Sequence, residues 1–292
     1  MPSQVLVNGL VAGAAYGLVA VSFGLICHTA RFFHLAHGAT YTIAAYLVLA
    51  LITALQLPVP LAICLAVLGA GLLGSGMHVI VYRPLRRRAS PPAVLLLASL
   101  GILIVLQNLV SMVFGDATRK LRSGAVYPGF EILGARITPV QVLTLLSGVL
   151  LTALLWGWLE RSRCGKLLRA LANDEELSEI VGVDTDRMML LTFAVGSALA
   201  AVAAILNAYD TDMTPMMGFR ALLAGIVAAI VGGIGSIAGA FLGGILVGLV
   251  QHGAAWVFPA QWQDTIVFAI LILVLVARPQ GLLGRPHRHA RV

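Results

Sequence analysis

No Asp, Glu, Lys or Arg occurs in residues 32–82, between Arg31 and Arg83. A bilayer core of about 30 Å takes about 20 apolar residues per helix, so this stretch alone has to hold two crossings. The rest of the chain is built the same way: 60% of its 292 residues are hydrophobic and 11% are charged, against about 25% charged in a soluble domain. So few charges cannot cover a water-exposed surface of this size. That excludes a cytosolic enzyme, a secreted disulfide module and a disordered chain. Cys27, Cys64 and Cys164 are widely spaced and odd in number, so they read as packing residues, with no disulfide framework and no metal site.

Runs long and apolar enough to be membrane helices fall at 4–27, 35–56, 59–82, 93–114, 139–159, 189–208, 219–234, 238–257 and 262–277. No Lys or Arg precedes the first, and its apolar stretch exceeds that of a cleaved signal, so it is expected to stay in the mature protein. The fold expected is all-α: one polytopic helical membrane domain over 1–292, with eight or nine transmembrane or re-entrant helices.

The formal charge of +7 sits in short breaks between apolar runs, which suits a topology signal and no nucleic-acid partner. Arg83, Arg86, Arg87 and Arg88 mark one cytoplasmic break. Arg161, Arg163, Lys166 and Arg169 mark a cytoplasmic loop at 160–188, and Arg278, Arg285, Arg288 and Arg291 a basic cytoplasmic tail at 278–292. Three runs before Arg83 then place the N-terminus outside and the C-terminus in the cytoplasm. The loop 115–138 should be external yet carries Arg119, Lys120, Arg122 and Arg136, against the rule.

Within 160–188, the run from Asn173 to Gly182 reads as a short helix. Asn173 or Asp174 can cap it, Glu175 and Glu176 sit at its positive end, and Gly182 can take the left-handed position after it. Leu177, Ile180 and Val181 recur at i, i+3 and i+4, an apolar edge on a helix too short to stand alone. It needs a partner, either its own membrane domain or a second cytoplasmic protein.

Gly9, Gly13 and Gly17 recur at four-residue steps, as do Gly235, Gly239 and Gly243, the spacing that lets two helix backbones approach closely in lipid. The two stripes show too little further similarity to define an internal repeat. His28, His34 and His37 cluster near the end of the first run, without the carboxylate or thiolate set that would favour a metal. His37 is expected to bond a neighbouring backbone carbonyl and order a broken helix, or to line a path beside Gly38 and Tyr41 where that break offers backbone donors to a carboxylate. Gln107 and Asn108 read as interhelical hydrogen-bonding residues. Asp210 and Asp212 fall in a short external loop.

The chain has no P-loop, since Gly165-Lys166 lacks the upstream glycine and Lys120 is its only other lysine. It also lacks the intramembrane carboxylates of a proton-coupled carrier, Asp264 lying at the edge of a run. An external motor is the simplest account. No nucleophile and base pair, no cofactor motif and hence no enzyme is read here.

Taken in order, Asn8-Gly9-Leu10 through Gly13 and Tyr16, Phe33-His34-Leu35-Ala36-His37-Gly38, Ala98-Ser99-Leu100-Gly101, Leu106-Gln107-Asn108-Leu109, Thr192 to Ala200, Pro215-Met216-Met217-Gly218 and Val231 to Ala240 cover the chain from about residue 5 to 280. This series resembles the LivH-like permease subunits of branched-chain amino acid ABC importers. The resemblance implies half of a translocation path in the bacterial inner membrane. Its implied partners are a second homologous permease subunit, two cytoplasmic ATPases, a periplasmic binding protein and membrane lipid. It makes 165–188 the coupling loop, with Arg169, Glu175, Glu176, Leu177 and Gly182 against the ATPase, and leaves Tyr16, His37, Gly38 and Tyr41 as candidate path residues. The chain departs from the family's pattern at Glu176 and Leu177, where two small residues are usual, at His34, where Asn is common, and at Ala39, where an acid is frequent. The alternatives are a urea or short-chain amide permease with the same motifs, or a self-sufficient channel or carrier.

Overall fold

The structure, a computed structural model, describes residues 2–121, 129–132 and 134–284. Arg122 and the tail arginines Arg285, Arg288 and Arg291 lie outside the described residues. The nine apolar runs form α1 (Pro2–Ala30), α2 (His37–Thr53), α3 (Val59–Met77), α5 (Pro92–Phe114), α6 (Pro139–Arg161), α9 (Thr185–Asp210), α10 (Met217–Gly232), α11 (Ile237–Val257) and α12 (Gln263–Ala277). Three polar helices complete the set: α4 (Arg83–Arg87), α7 (Arg163–Asn173) and α8 (Glu175–Ile180). Among the described residues, six helices are long and apolar enough to cross a bilayer, whereas α2, α10 and α12 are shorter.

A π-helical turn over His78–Tyr82 carries α3 into α4 as one continuous helix. Pro84 supplies the reason: its ring would strike the carbonyl of Ile80, so the helix widens there instead of breaking.

Two faces are defined by side-chain contacts. On one, Arg31 at the end of α1 reaches the carbonyl of Asn173, Arg86 reaches Glu175, Gly235 sits beside His28, and Leu282 N–H bonds the carbonyl of Val231. On the other, Gln4 bonds both the N–H and the carbonyl of Arg136 in the hairpin β1 (Phe130–Ile132) and β2 (Ala135–Ile137), and Arg119 pairs its backbone with Met213. Residue 2 and residue 284 therefore lie on opposite faces. Two cations of loop 115–138 are engaged here: the Arg119 guanidinium donates to the carbonyl of Phe114 at 2.7 Å, and Lys120 pairs with Asp212 at 3.7 Å.

The long helices α1 and α9 end on opposite faces, yet the chain breaks that follow them meet. Gly38 lies against Gly218, and the Gly218 N–H donates to Thr42 Oγ1 at 3.1 Å. Both breaks thus fold back into the bilayer, and α2 and α10, of 17 and 16 residues, start at depth and run outward in opposite senses. Packing follows the same two-fold relation: α1 lies on α11 as α9 lies on α3, and α10 flanks α1 as α2 flanks α9. This is the pairing expected of an inverted repeat of α1–α2–α3 and α9–α10–α11, which the two glycine stripes by themselves did not define. Sequence comparison misses it because the match is of small residues at contacts. Gly9, Gly13 and Gly17 on α1 meet Phe241 and Gly244 to Leu249 on α11, while Gly71 and Gly74 on α3 meet Phe193, Ala194 and Ser197 on α9.

The second glycine stripe is divided. Gly235 is not on a helix but in the turn before α11, at φ +95, while Gly239 and Gly243 face α10, packed on Gly232 and Ala228.

Candidate functional site

The projection between α6 and α9 holds two helices where one was expected. Ser162 caps α7 by accepting from the Gly165 N–H at 2.9 Å. Leu168 and Leu171, 2% and 0% exposed, anchor its apolar side against the bundle. Their i, i+3 spacing behind a Ser N-cap was the available signal for α7. Asp174 ends α7 and caps α8, its Oδ1 accepting from the Leu177 N–H at 2.9 Å. Gly182 follows α8 at φ +86, the left-handed position expected of it.

Leu177, Ile180 and Val181 are 57%, 76% and 69% exposed. The apolar edge of α8 is therefore not buried on its own membrane domain. Its base is held instead: Arg86 donates to Glu175 and Arg31 to the carbonyl of Asn173. Arg83 and Arg87 both reach Asp186, at 2.7 and 3.1 Å, and Arg169 pairs with Glu160 at 2.8 Å. Glu176 is exposed. The basic break at 83–88 thus fastens the projection to α3, a role that charge counting by itself does not reveal.

The predicted path residues are packed away. His37 and Tyr41 are 1% and 2% exposed and Gly38 is buried, while Tyr16 is half-buried and lies near Tyr41. The donors at the start of α2 are spent on their own turn: the N–H groups of His37, Gly38 and Ala39 bond the carbonyls of His34, Leu35 and Ala36 at 3.0–3.2 Å. In α10 the Met217 N–H bonds Thr214, and Gly218 bonds Thr42. The first N–H groups of α2 and of α10 are therefore engaged within the protein in this conformation.

His37 bonds a side chain and not the backbone carbonyl expected of it. The Ser22 hydroxyl lies 2.9 Å from His37 Nε2 and 3.0 Å from the carbonyl of Val19, and where its proton goes to that carbonyl His37 Nε2 is the donor. His34 bonds Tyr82 at 3.1 Å and stands edge-on to Phe193, and His78, not singled out from sequence, stacks on Phe193. Among the described residues, no group of three His, Cys, Asp or Glu side chains could hold a metal ion.

Helix α5 touches both breaks. Ser99 accepts from the Ala36 N–H at 2.9 Å, and two turns on Gln107 contacts Met216. Asn108 only bonds the carbonyl of Ile104 in its own helix, so of the two amides Gln107 alone reaches another element. Phe33 and Met216 are exposed here, and Gln107 is half-buried.

The family model described as branched-chain amino acid transport system / permease component matches residues 5–275. The high-affinity branched-chain amino acid transport system permease protein BraD of Pseudomonas aeruginosa is 36% identical, covering 97% of this chain and 96% of that one. The corresponding LivH of Escherichia coli K12 is 32% identical with the same coverage. Among solved structures, a chain of PsaBC from Streptococcus pneumoniae in complex with Fab superposes with a TM-score of 0.52 at 12% identity, over 92% of this chain and 90% of that one, a likeness of fold.

Proposed function

The chain belongs to the family of branched-chain amino acid transport system permease components, and on that premise we propose that it forms half of the translocation path of an ABC importer for branched-chain or related amino acids. It is a multi-pass membrane protein, and in this reading it sits in a bacterial inner membrane as one permease domain. The face bearing α7 and α8 is cytoplasmic, with the tail 278–292, and the face bearing the hairpin and residue 2 is external. A second homologous subunit completes the path, two ATPases dock on the cytoplasmic face, and a periplasmic binding protein docks on the other. The chain performs no covalent chemistry; ATP hydrolysis is the partner's.

The observation that carries the coupling role is the exposure of Leu177, Ile180 and Val181 on a capped helix whose base is clamped by arginines. A rigid base with a bare apolar edge transmits a displacement, whereas a loose loop would absorb it. Such a displacement reaches α4 through Arg86, and the π-helical turn that joins α4 to α3 carries Tyr82 and His78 beside His34 and Phe193. Separation of α2 from α10 at Gly38 and Gly218 would then open the route that is closed here.

The test is uptake of labelled leucine into vesicles containing the full importer, with and without the P-loop lysine of the ATPase. ATP-dependent uptake lost with that lysine supports the reading. Uptake that persists would assign a self-sufficient channel or carrier, and transport of urea in place of leucine would move the substrate class to short amides.

A further inference from the structure

A cavity of about 870 Å³ opens between α1, α6, α7 and the turn before α11, on the face that carries α8. One side is apolar, formed by Val21 and Leu25 of α1, Leu159 of α6 and Ile237 of α11. Gly24 forms part of the same wall, and a Cβ added there would meet no atom within 4 Å, so the space reaches the helix backbone. Trp156, 58% exposed, stands one turn before the charged end of α6, the depth at which indole rings gather at a bilayer surface. The opposite side is polar. Arg169 and Glu160 neutralise one another there, while Lys166 has no ion pair among the described residues. The first turn of α11, with its positive end, also lines this side. The balance is one surplus cation beside a helix start, above an apolar slot at headgroup depth.

We propose that this cavity binds an anionic diacyl phospholipid. Its phosphate lies beside Lys166 and the first turn of α11, and an acyl chain lies along Val21, Gly24 and Leu25. A soluble anion would leave that wall against water, whereas a phospholipid covers both halves at once. The site adjoins α7, so its occupant braces the helix that positions α8.

The full chain, purified with its partner subunits in detergent, is offered phosphatidylglycerol and phosphatidylcholine in equal amounts, and retained lipid is counted by native mass spectrometry. Wild-type protein should keep phosphatidylglycerol in preference. Lys166→Glu should weaken its retention about thirtyfold, from roughly fivefold per unit charge at a membrane surface. Gly24→Leu, which fills the slot and leaves the charges alone, should displace it too and keeps the proposal testable if the charge reversal fails to fold. A phosphatidylglycerol with a photoreactive acyl chain should label α1 between Val21 and Leu25. Equal retention of the two lipids, wild-type retention by either variant, or release of the lipid by millimolar inorganic phosphate would overturn it.

Discussion

Arg86, near the end of α4, donates to the carboxylate of Glu175 in the first turn of α8 at 2.9 Å, with side chains 21% and 31% exposed. The two residues are 89 positions apart. The pair joins the continuous helix that carries His78 and Tyr82 to the short helix with a bare apolar edge. It fixes where α8 stands more than it stabilises the fold, since a pair this close to water contributes at most about 1 kcal/mol.

Glu175→Arg places a third cation beside Arg31 and Arg86 and should push α8 off its base. Co-purification of the ATPase should fall severalfold while yield and membrane insertion hold. Adding Arg86→Glu restores an opposite-charge pair and should recover most of the association; a double variant as poor as the single one would remove the positioning role.

Ile180 is 76% exposed, so Ile180→Asp breaks no internal contact of consequence and should leave thermal stability within about 0.5 kcal/mol. ATPase association, measured by pull-down, should nevertheless be lost. A fall in melting temperature matching the loss of binding would mean that the edge is structural.

A Cβ on Gly248 would stand 2.3 Å from the backbone nitrogen of Gly13, and two backbones cannot yield as a side chain can. Gly248→Leu should force α1 and α11 apart and destabilise by at least about 1–3 kcal/mol. Gly101 on α5, with nothing within 4 Å of such an atom, is the control: Gly101→Ala should be neutral or slightly stabilising. Melting curves in detergent distinguish the two.

Thr42 accepts from the Gly218 N–H and has its own hydroxyl within reach of the carbonyls of Gly38 and Pro215, at 3.3 and 3.5 Å. Thr42→Val keeps the shape but strands that N–H in the bilayer, at a cost of about 1–3 kcal/mol. Thr42→Ser should be close to wild type. If the junction is where the path opens, Thr42→Val should also alter uptake at temperatures where the protein remains folded, which a vesicle assay would show.

Much of this was legible in the residues. Each apolar run became a helix within a few residues of its expected ends, because hydrophobic length is a local quantity set by the bilayer. The Asp174 cap, the acidic first turn of α8 and the left-handed Gly182 are equally local. What could not be read were contacts that depend on which helices become neighbours. His37 found Ser22 in place of a carbonyl, Gly235 left its stripe for a turn, and Asn108 turned back on its own helix.

By its sequence alone the chain is committed to the membrane, to nearly all its helix boundaries and to a short acidic helix outside the apolar runs, because burial in lipid and satisfaction of backbone groups are decided segment by segment. Only the tertiary structure decides that the two breaks meet at Gly38 and Gly218, that the Gly218 N–H is taken by Thr42, and that Arg86 holds Glu175. Those outcomes rest on pairing helices far apart in the chain, and small residues permit such approaches at many places without naming the partner.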